Sequence, residues 1–397
     1  MKKQLLCTSA IALGCAIAAP ASAQEWDMDW GGFFNSHVGY VDVSTTGLAA
    51  GTDFDGIDVF QDAEIYFTPS VTLDNGMTFG VNVQFEAKNT GGAIIDESYA
   101  SISSDTLGRI DLGNENSAGY KLSIAAPQVS GDIGINSPWI SGFIPLGASA
   151  SGNQPWNYRQ SAISSYTEVA GNNDVPRITY YTPSFNGLTL GVSYAASNAT
   201  NAGNNDGVDR NAGGSVTDIF DLGANYSQSF NGVDVALSAR WGTGSRAARL
   251  AALAVAPVPG NAGTAAVTAQ AGGDPTVWAV GATVGMSGFT FGGSYGENDN
   301  DLAGGNGDQE GWSLGATYDI AGPWSVGFDT YQGEVKTNAT GGKAEYEAYQ
   351  LVGSRSLGAG VTWAVYAAYA EGTTNAASGN VSKVDGTLIG TSINLSF

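Results

Sequence analysis

Chemistry in this chain rests on carboxylates. Asp and Glu number 37 against 15 Lys and Arg, and a single histidine, His37, is available for proton transfer near neutral pH. No serine–histidine–acid spacing accompanies it, so a barrel phospholipase or protease would have to lean on His37 alone. Neither a phosphate-binding glycine loop, zinc-ligand spacing nor a dinucleotide fingerprint occurs. Hard oxygen ligands are more plentiful. Asp53-Phe54-Asp55, Asp206-Gly207-Val208-Asp209, and Asp299 with Asp301 in the acidic run from Glu297 to Glu310 are of the type that binds Ca²⁺. Their spacing is not that of an EF-hand loop, and solvated loop acids are the simpler account. No cofactor is required by any of these patterns. The acidic excess argues against a nucleic-acid partner and fits attraction of cationic solutes.

The first 23 residues read as a cleaved export signal. Lys2 and Lys3 precede an apolar run, and Ala21-Ser22-Ala23 supplies the small residues of a cleavage site. Leu13-Gly14-Cys15 offers a weaker lipoprotein reading, with Ala12 where a larger aliphatic residue is usual. Cleavage would remove Cys7 and Cys15, the only cysteines, and leave 13 basic residues against 37 acidic, a net charge of −24. The remainder, 24–397, reads as one domain stabilised without disulfides. Its two long uncharged runs, Ile133 to Tyr158 and Leu250 to Gly273, are broken by prolines and glycine, so neither is an apolar helical span.

The elements that must position these side chains alternate with period two. In Met77-Thr78-Phe79-Gly80-Val81-Asn82-Val83-Gln84-Phe85-Glu86 the odd positions are apolar and the even ones polar or small, which places the two sets on opposite faces of a strand. Similar alternation runs through Leu188 to Tyr194, Phe220 to Ser227, Val233 to Trp241, Phe289 to Tyr295, Trp312 to Ile320 and Val361 to Tyr369. Tight turns are marked at Asp74-Asn75-Gly76, Asp105 to Gly108, Asn186-Gly187, Asn231-Gly232, Ser287-Gly288, Ala321-Gly322-Pro323 and Gly358-Ala359-Gly360. Longer connections fall between them, around 44–57, 89–94, 114–175, 198–217, 245–275, 299–309, 336–343 and 373–382. Short and long links in alternation predict an all-β, antiparallel up-and-down transmembrane barrel of about sixteen strands. Aromatics near strand ends (Phe185, Trp241, Phe289, Trp324 and Tyr369) fit interfacial belts. Closure into a barrel leaves no unpaired edge in lipid.

One stretch breaks the period. Residues 114–175 are rich in Gly, Pro, Ser and Trp, and a structureless run of this length is expected to be functional. We read it as a loop folded into the lumen, where it narrows the passage. Its charges, Glu115, Asp132, Glu168 and Asp174 against Lys121 and Arg159, sum to only −2, so it sets the size limit more than the sign. Trp139, Phe143, Trp156 and Tyr158 are expected to pack it on the wall or a neighbouring subunit.

Three segments resemble the Gram-negative general porin family. Glu97-Ser98-Tyr99-Ala100-Ser101-Ile102-Ser103 with Leu107-Gly108-Arg109-Ile110-Asp111-Leu112-Gly113-Asn114 resembles the hairpin before that family's constriction loop. The segment from Ile178 to Leu188, containing Tyr181-Thr182-Pro183-Ser184-Phe185-Asn186-Gly187, resembles the hairpin after it. Ser354-Arg355-Ser356 and the terminal Phe397 resemble the last hairpins. The resemblance implies a homotrimer in the outer membrane, passive diffusion of small hydrophilic solutes, and recognition of the terminal strand by the barrel assembly machinery. It also implies contact with outer-membrane lipids and lipopolysaccharide, and a field across an eyelet. The residues it nominates for that constriction are Glu86, Arg109, Asp111, Glu115, Lys121, Asp132, Glu168, Arg177 and Arg240. Strand parity points Arg109, Arg177 and Arg240 inward with Asp111, Thr179 and Ser238, where each arginine serves either the field or a salt bridge that props the wall. The expected activity is a cation-preferring diffusion channel. A substrate-selective channel is the alternative of the same kind, and a secreted acidic, Ca²⁺-binding β-rich surface protein the alternative of another class.

Overall fold

The computed structural model describes residues 25–46, 53–88, 95–135, 140, 142–145, 168–198, 215–248, 271–302, 305, 307–336, 342–375 and 381–397. The expected signal segment, Arg159, Trp139, Trp156, Tyr158, Asp206, Asp209 and all but the ends of the Ala-rich connection 247–273 lie outside them.

Among the described residues, seventeen strands form one closed antiparallel sheet. The first half comprises β1 (Trp30–Thr46), β2 (Gly56–Phe67), β3 (Ser70–Thr72), β4 (Thr78–Glu86), β5 (Ile95–Ser104), β6 (Gly108–Glu115), β7 (Val175–Tyr181) and β8 (Leu188–Ser197). The second half comprises β9 (Val216–Phe230), β10 (Val233–Arg246), β11 (Thr276–Met286), β12 (Phe289–Asp299), β13 (Gln309–Asp319), β14 (Trp324–Lys336), β15 (Lys343–Gly358), β16 (Val361–Asn375) and β17 (Val381–Ser396). Both β2 and β3 pair with β4, so they are one stave interrupted at Thr68-Pro69, where proline cannot donate to the ladder. The barrel therefore has sixteen staves. β1 pairs with β17 from Phe33↔Ser396 onward and closes it.

All seven short turns fall where the turn residues place them. At Asn231-Gly232 and Ser287-Gly288 both central residues have positive φ, the backbone twist that matches a two-residue hairpin. Side chains alternate as expected through most staves. Leu237 and Trp241 face outward while Ser238 and Arg240 face inward, and β4 turns Val81 outward. The outer face carries an exposed apolar band, with Phe185, Phe289 and Trp324 at the short-turn end and Trp241, Trp278 and Trp312 at the long-loop end.

On β14–β17 and β1 the polar-inward rule fails. Tyr331, Ala344, Tyr346, Ala348, Val352, Ala364, Tyr366, Ala368, Ala370, Val384, Leu388 and Val41 point inward and are buried. An aqueous lumen would not cover them. The loop does: Val129, Ile133, Ile135, Ile140, Phe143 and Ile144 complete this cluster inside the barrel.

Candidate functional site

The loop enters the lumen through helix α1 (Ala118–Leu122), capped by Ser117, whose Oγ accepts from Tyr120 N–H at 3.2 Å. From there its backbone is handed from strand to strand around the wall. Ala118 N–H donates to Ser193 Oγ (3.2 Å), Ile124 N–H to Ser238 Oγ (2.8 Å) and Ala126 N–H to Ser313 Oγ (3.0 Å). Further on, Ile133 N–H donates to Gln350 Oε1 (2.8 Å) and Ser392 Oγ to the Gly131 carbonyl (2.7 Å). Each inward polar side chain thus satisfies a backbone group that burial would otherwise orphan. Glycine makes the approach possible at β11: a Cβ on Gly281 would overlap the carbonyl oxygen of Ile124.

Two ion networks pin the ends of the loop. Arg240 Nη2 donates to Asp221 Oδ2 at 3.0 Å, and both side chains are only 1% exposed. Arg177 lies 3.8 Å from Glu168, donates to Asn172 Oδ1 at 2.8 Å and also bonds the Asn172 carbonyl. Glu168 Oε1 accepts from Ser117 N–H at 2.7 Å, tying the end of the loop to its beginning. Burial raises the Glu168 carboxyl, with Arg177 opposing the shift. Gly119 sits against Asp221, where a side chain would collide with the carboxylate.

The wall formed by β2 and β4–β6 is different. Its inward face carries Asp58, Asp62, Glu64, Glu86, Asp96, Glu97, Asp111 and Glu115, against Lys88, Arg109 and Lys121. Lys88 pairs with Asp62 and lies 3.5 Å from Glu86; Arg109 Nε donates to Asp111 Oδ1 at 2.7 Å. Lys121 reaches from α1 to Glu115 (2.8 Å) and Glu97 (3.5 Å), with its ammonium 4.6 Å from the centre of the Tyr99 ring. The described part of the loop meets β4–β6 through polar contacts, Asn116 and Lys121 to Glu97, and touches β2 also through Phe143 against Phe60.

The nine nominated constriction residues therefore separate. Arg109, Lys121 and Glu86 reach the lumen, with side chains 45%, 26% and 21% exposed. Asp111 and Glu115 are buried beneath their cationic partners. Arg177, Arg240 and Glu168 lie under the loop, where the wall-propping salt bridge describes their contacts and a field across open water does not. Asp132 is seated on the opposite wall: its Oδ2 accepts from Gln350 Nε2 at 3.3 Å, and the same nitrogen donates to Asp329 Oδ1 at 3.2 Å. Burial and the Asp329 charge push the Asp132 carboxyl up to about 7, and burial with the Asp96 charge does the same for Asp174.

Sequence reasoning passed over Asp62, Glu64, Glu97 and Lys88, although parity with Tyr99 and Ser101 would have turned Glu97 inward. It also passed over the anchors Asp221, Asp329 and Gln350. His37 is buried between Phe60 and Tyr366, with Nδ1 3.1 Å from the tyrosine hydroxyl. The calcium candidates are occupied in turns. Asp55 N–H donates to Asp53 Oδ1 (3.0 Å) and Asp301 N–H to Asp299 Oδ1 (2.7 Å), while Asp55 Oδ1 accepts from Val43 and Asp301 Oδ2 from Asp274. Among the described residues no group of three or more histidine, cysteine or acidic side chains has metal-binding geometry.

A water-accessible barrel with an inward-folded loop defines a channel of the outer-membrane class. The family described as Gram-negative porin matches residues 8–377, and the chain belongs to that family. Its fold is shared by the anion-selective porin of Comamonas acidovorans, at 16% identity and TM-score 0.61, covering 94% of this chain and 100% of that one. The trimer form of OmpT from Vibrio cholerae aligns at 11% identity and TM-score 0.59 over 94% and 99% of the two chains. The channel DcaP of Acinetobacter baumannii aligns at 13% identity and TM-score 0.57 over 96% and 100%. No curated protein matches the chain in a direct sequence comparison. The protein is thus an outer-membrane β-barrel diffusion channel, a class whose short turns lie on the periplasmic side.

Proposed function

We propose that the channel passes small hydrophilic solutes passively and prefers cations. The acidic wall of β2 and β4–β6 carries this reading, because its inward carboxylates outnumber the three cations there while the apolar part of the opposite wall is covered by the loop. A low-dielectric wall lined by one sign of charge concentrates counter-ions at its mouth. The inward arginines do not offset this, since Arg109, Arg177 and Arg240 each lie against a carboxylate. Reversal potentials across a KCl gradient in a planar bilayer test the sign, and a potential of anion-selective sign would refute the preference. A series of sugars and amino acids in liposome swelling separates a general channel from a substrate-selective one.

The homotrimer belongs to the same proposal, supported by the trimer form of the Vibrio cholerae relative. Recognition of the Phe397 strand by the assembly machinery and contact with lipopolysaccharide at the long-loop rim complete it. Conductance steps in threes would support the trimer, and a monomeric mass in detergent would overturn it.

A further inference from the structure

We propose that Arg355, framed by Trp324 and Trp363 on the outer face of the barrel, binds the phosphodiester of a phospholipid in the periplasmic leaflet. The three residues stand side by side on neighbouring strands, with Trp324 opposite Arg355 and Arg355 opposite Trp363. The guanidinium lies 5.7 Å from the centre of the Trp324 ring, and the two indoles meet edge to face at 5.7 Å. Both rings are held. Trp363 Nε1 donates to Thr391 Oγ1 at 2.8 Å, and Trp324 lies over Gly353, where an added Cβ would touch its ring at 3.9 Å.

Charge points to the occupant. Of the described lysines and arginines, Arg355 alone has neither a carboxylate within ion-pair distance nor a protein acceptor. The others are met by acids, or for Arg246 by the Asn300 carbonyl. Among the described residues it is also the only base facing outward at the short-turn end; Lys336, Lys343 and Lys383 face outward at the other rim beside Asp308, Glu334 and Glu371. A guanidinium set over one indole and beside a second near the short-turn end, with five donors and no protein anion, is complementary to a lipid phosphate flanked by glycerol and acyl chains. Arg355 faces lipid and not the passage, so this site is independent of ion preference.

The test uses the intact channel in detergent, with native mass spectrometry after addition of phosphatidylglycerol, of diacylglycerol without phosphate, or of inorganic phosphate. Wild type is expected to retain phosphatidylglycerol over diacylglycerol. Arg355→Gln is expected to retain the phospholipid on the order of tenfold less, one charge-assisted contact, with single-channel conductance unchanged. Trp363→Leu should lose less. Equal retention by wild type and Arg355→Gln overturns the proposal, as does displacement of the lipid by millimolar inorganic phosphate. Should Arg355→Gln fail to assemble, the wild-type arms decide: equal retention of phosphatidylglycerol and diacylglycerol overturns it.

Discussion

Two regions of the lumen wall obey different rules. From β14 through β17 to β1 the inner face carries a buried apolar patch beside a few polar anchors, and the loop is glued to it through the cluster around Phe143, Ile144, Tyr346 and Leu388. From β2 through β6 the inner face is a lattice of carboxylates and their paired cations. The clad side behaves like a domain core, in which volume and shape decide whether the loop is seated. The bare side behaves like an electrolyte boundary, in which net charge decides what passes. Within one sheet, the side chain chosen at each inward position determines whether a stave supports structure or transport.

The largest effect is expected between the two regions, on β9 and β10, where the beginning of the loop is pinned. Replacing Arg240 by Met strands the Asp221 carboxylate in a buried site, a loss of about 3–5 kcal/mol. Denaturant unfolding of the folded barrel measures it, and a change under about 1 kcal/mol would mean that water reaches the pair. Next comes Ile144→Ala on the clad side, costing about 2–5 kcal/mol of loop docking. Faster proteolytic cleavage within the loop and noisier open-channel current would report it. Unchanged cleavage would show that the cluster does not hold the loop.

Acidity should act on the clad side through Asp132. Its carboxyl is raised from 3.8 to about 7 when docked, so docking binds the proton more tightly than the released loop does. Docking is therefore fully favoured below about pH 4, weakens as pH rises, and has lost this contribution above about pH 7. Hydrogen exchange around Ile133 should be slower at pH 5 than at pH 8 after correction for intrinsic rates, and Asp132→Asn should remove the difference. A profile identical in Asp132→Asn would assign the pH response to another group.

The smallest energetic effect should fall on the bare side. Neutralising Glu97 and Glu86 together as glutamines is expected to lower the cation-to-anion permeability ratio by a few-fold, under ~1 kcal/mol of differential ion energy. Asp329→Asn on the clad wall, equally acidic in sequence, should leave the reversal potential where it was. If the two variants shift it alike, the contrast between the walls does not govern selectivity.

Much of the barrel was legible because its signals are local. Asn-Gly and Ser-Gly pairs need only their own backbone to specify a turn, and alternation in Met77 to Glu86 assigns faces by geometry alone. Alternation over Val361 to Tyr369 predicts one more strand of the same kind. Its inward Ala364, Tyr366, Ala368 and Ala370 instead announce a stave covered on both sides. The candidate site was less legible. Parity turned Arg177 and Arg240 inward, but inward has two meanings here: toward water, or toward the underside of the loop.

Sequence by itself determined the number of staves, their register-setting turns, the outward apolar band and the position of the loop, since each follows from period and turn chemistry within a few residues. Only the tertiary structure decided which inward charges meet water. Glu168 and Arg177, or Asp132 and Gln350, are brought together by a loop crossing the lumen, and no local pattern records that crossing. Long-range packing assigns a carboxylate on the wall to a salt bridge under the loop or to the lining of the passage, because burial and partner, not residue type, set what a charge can do.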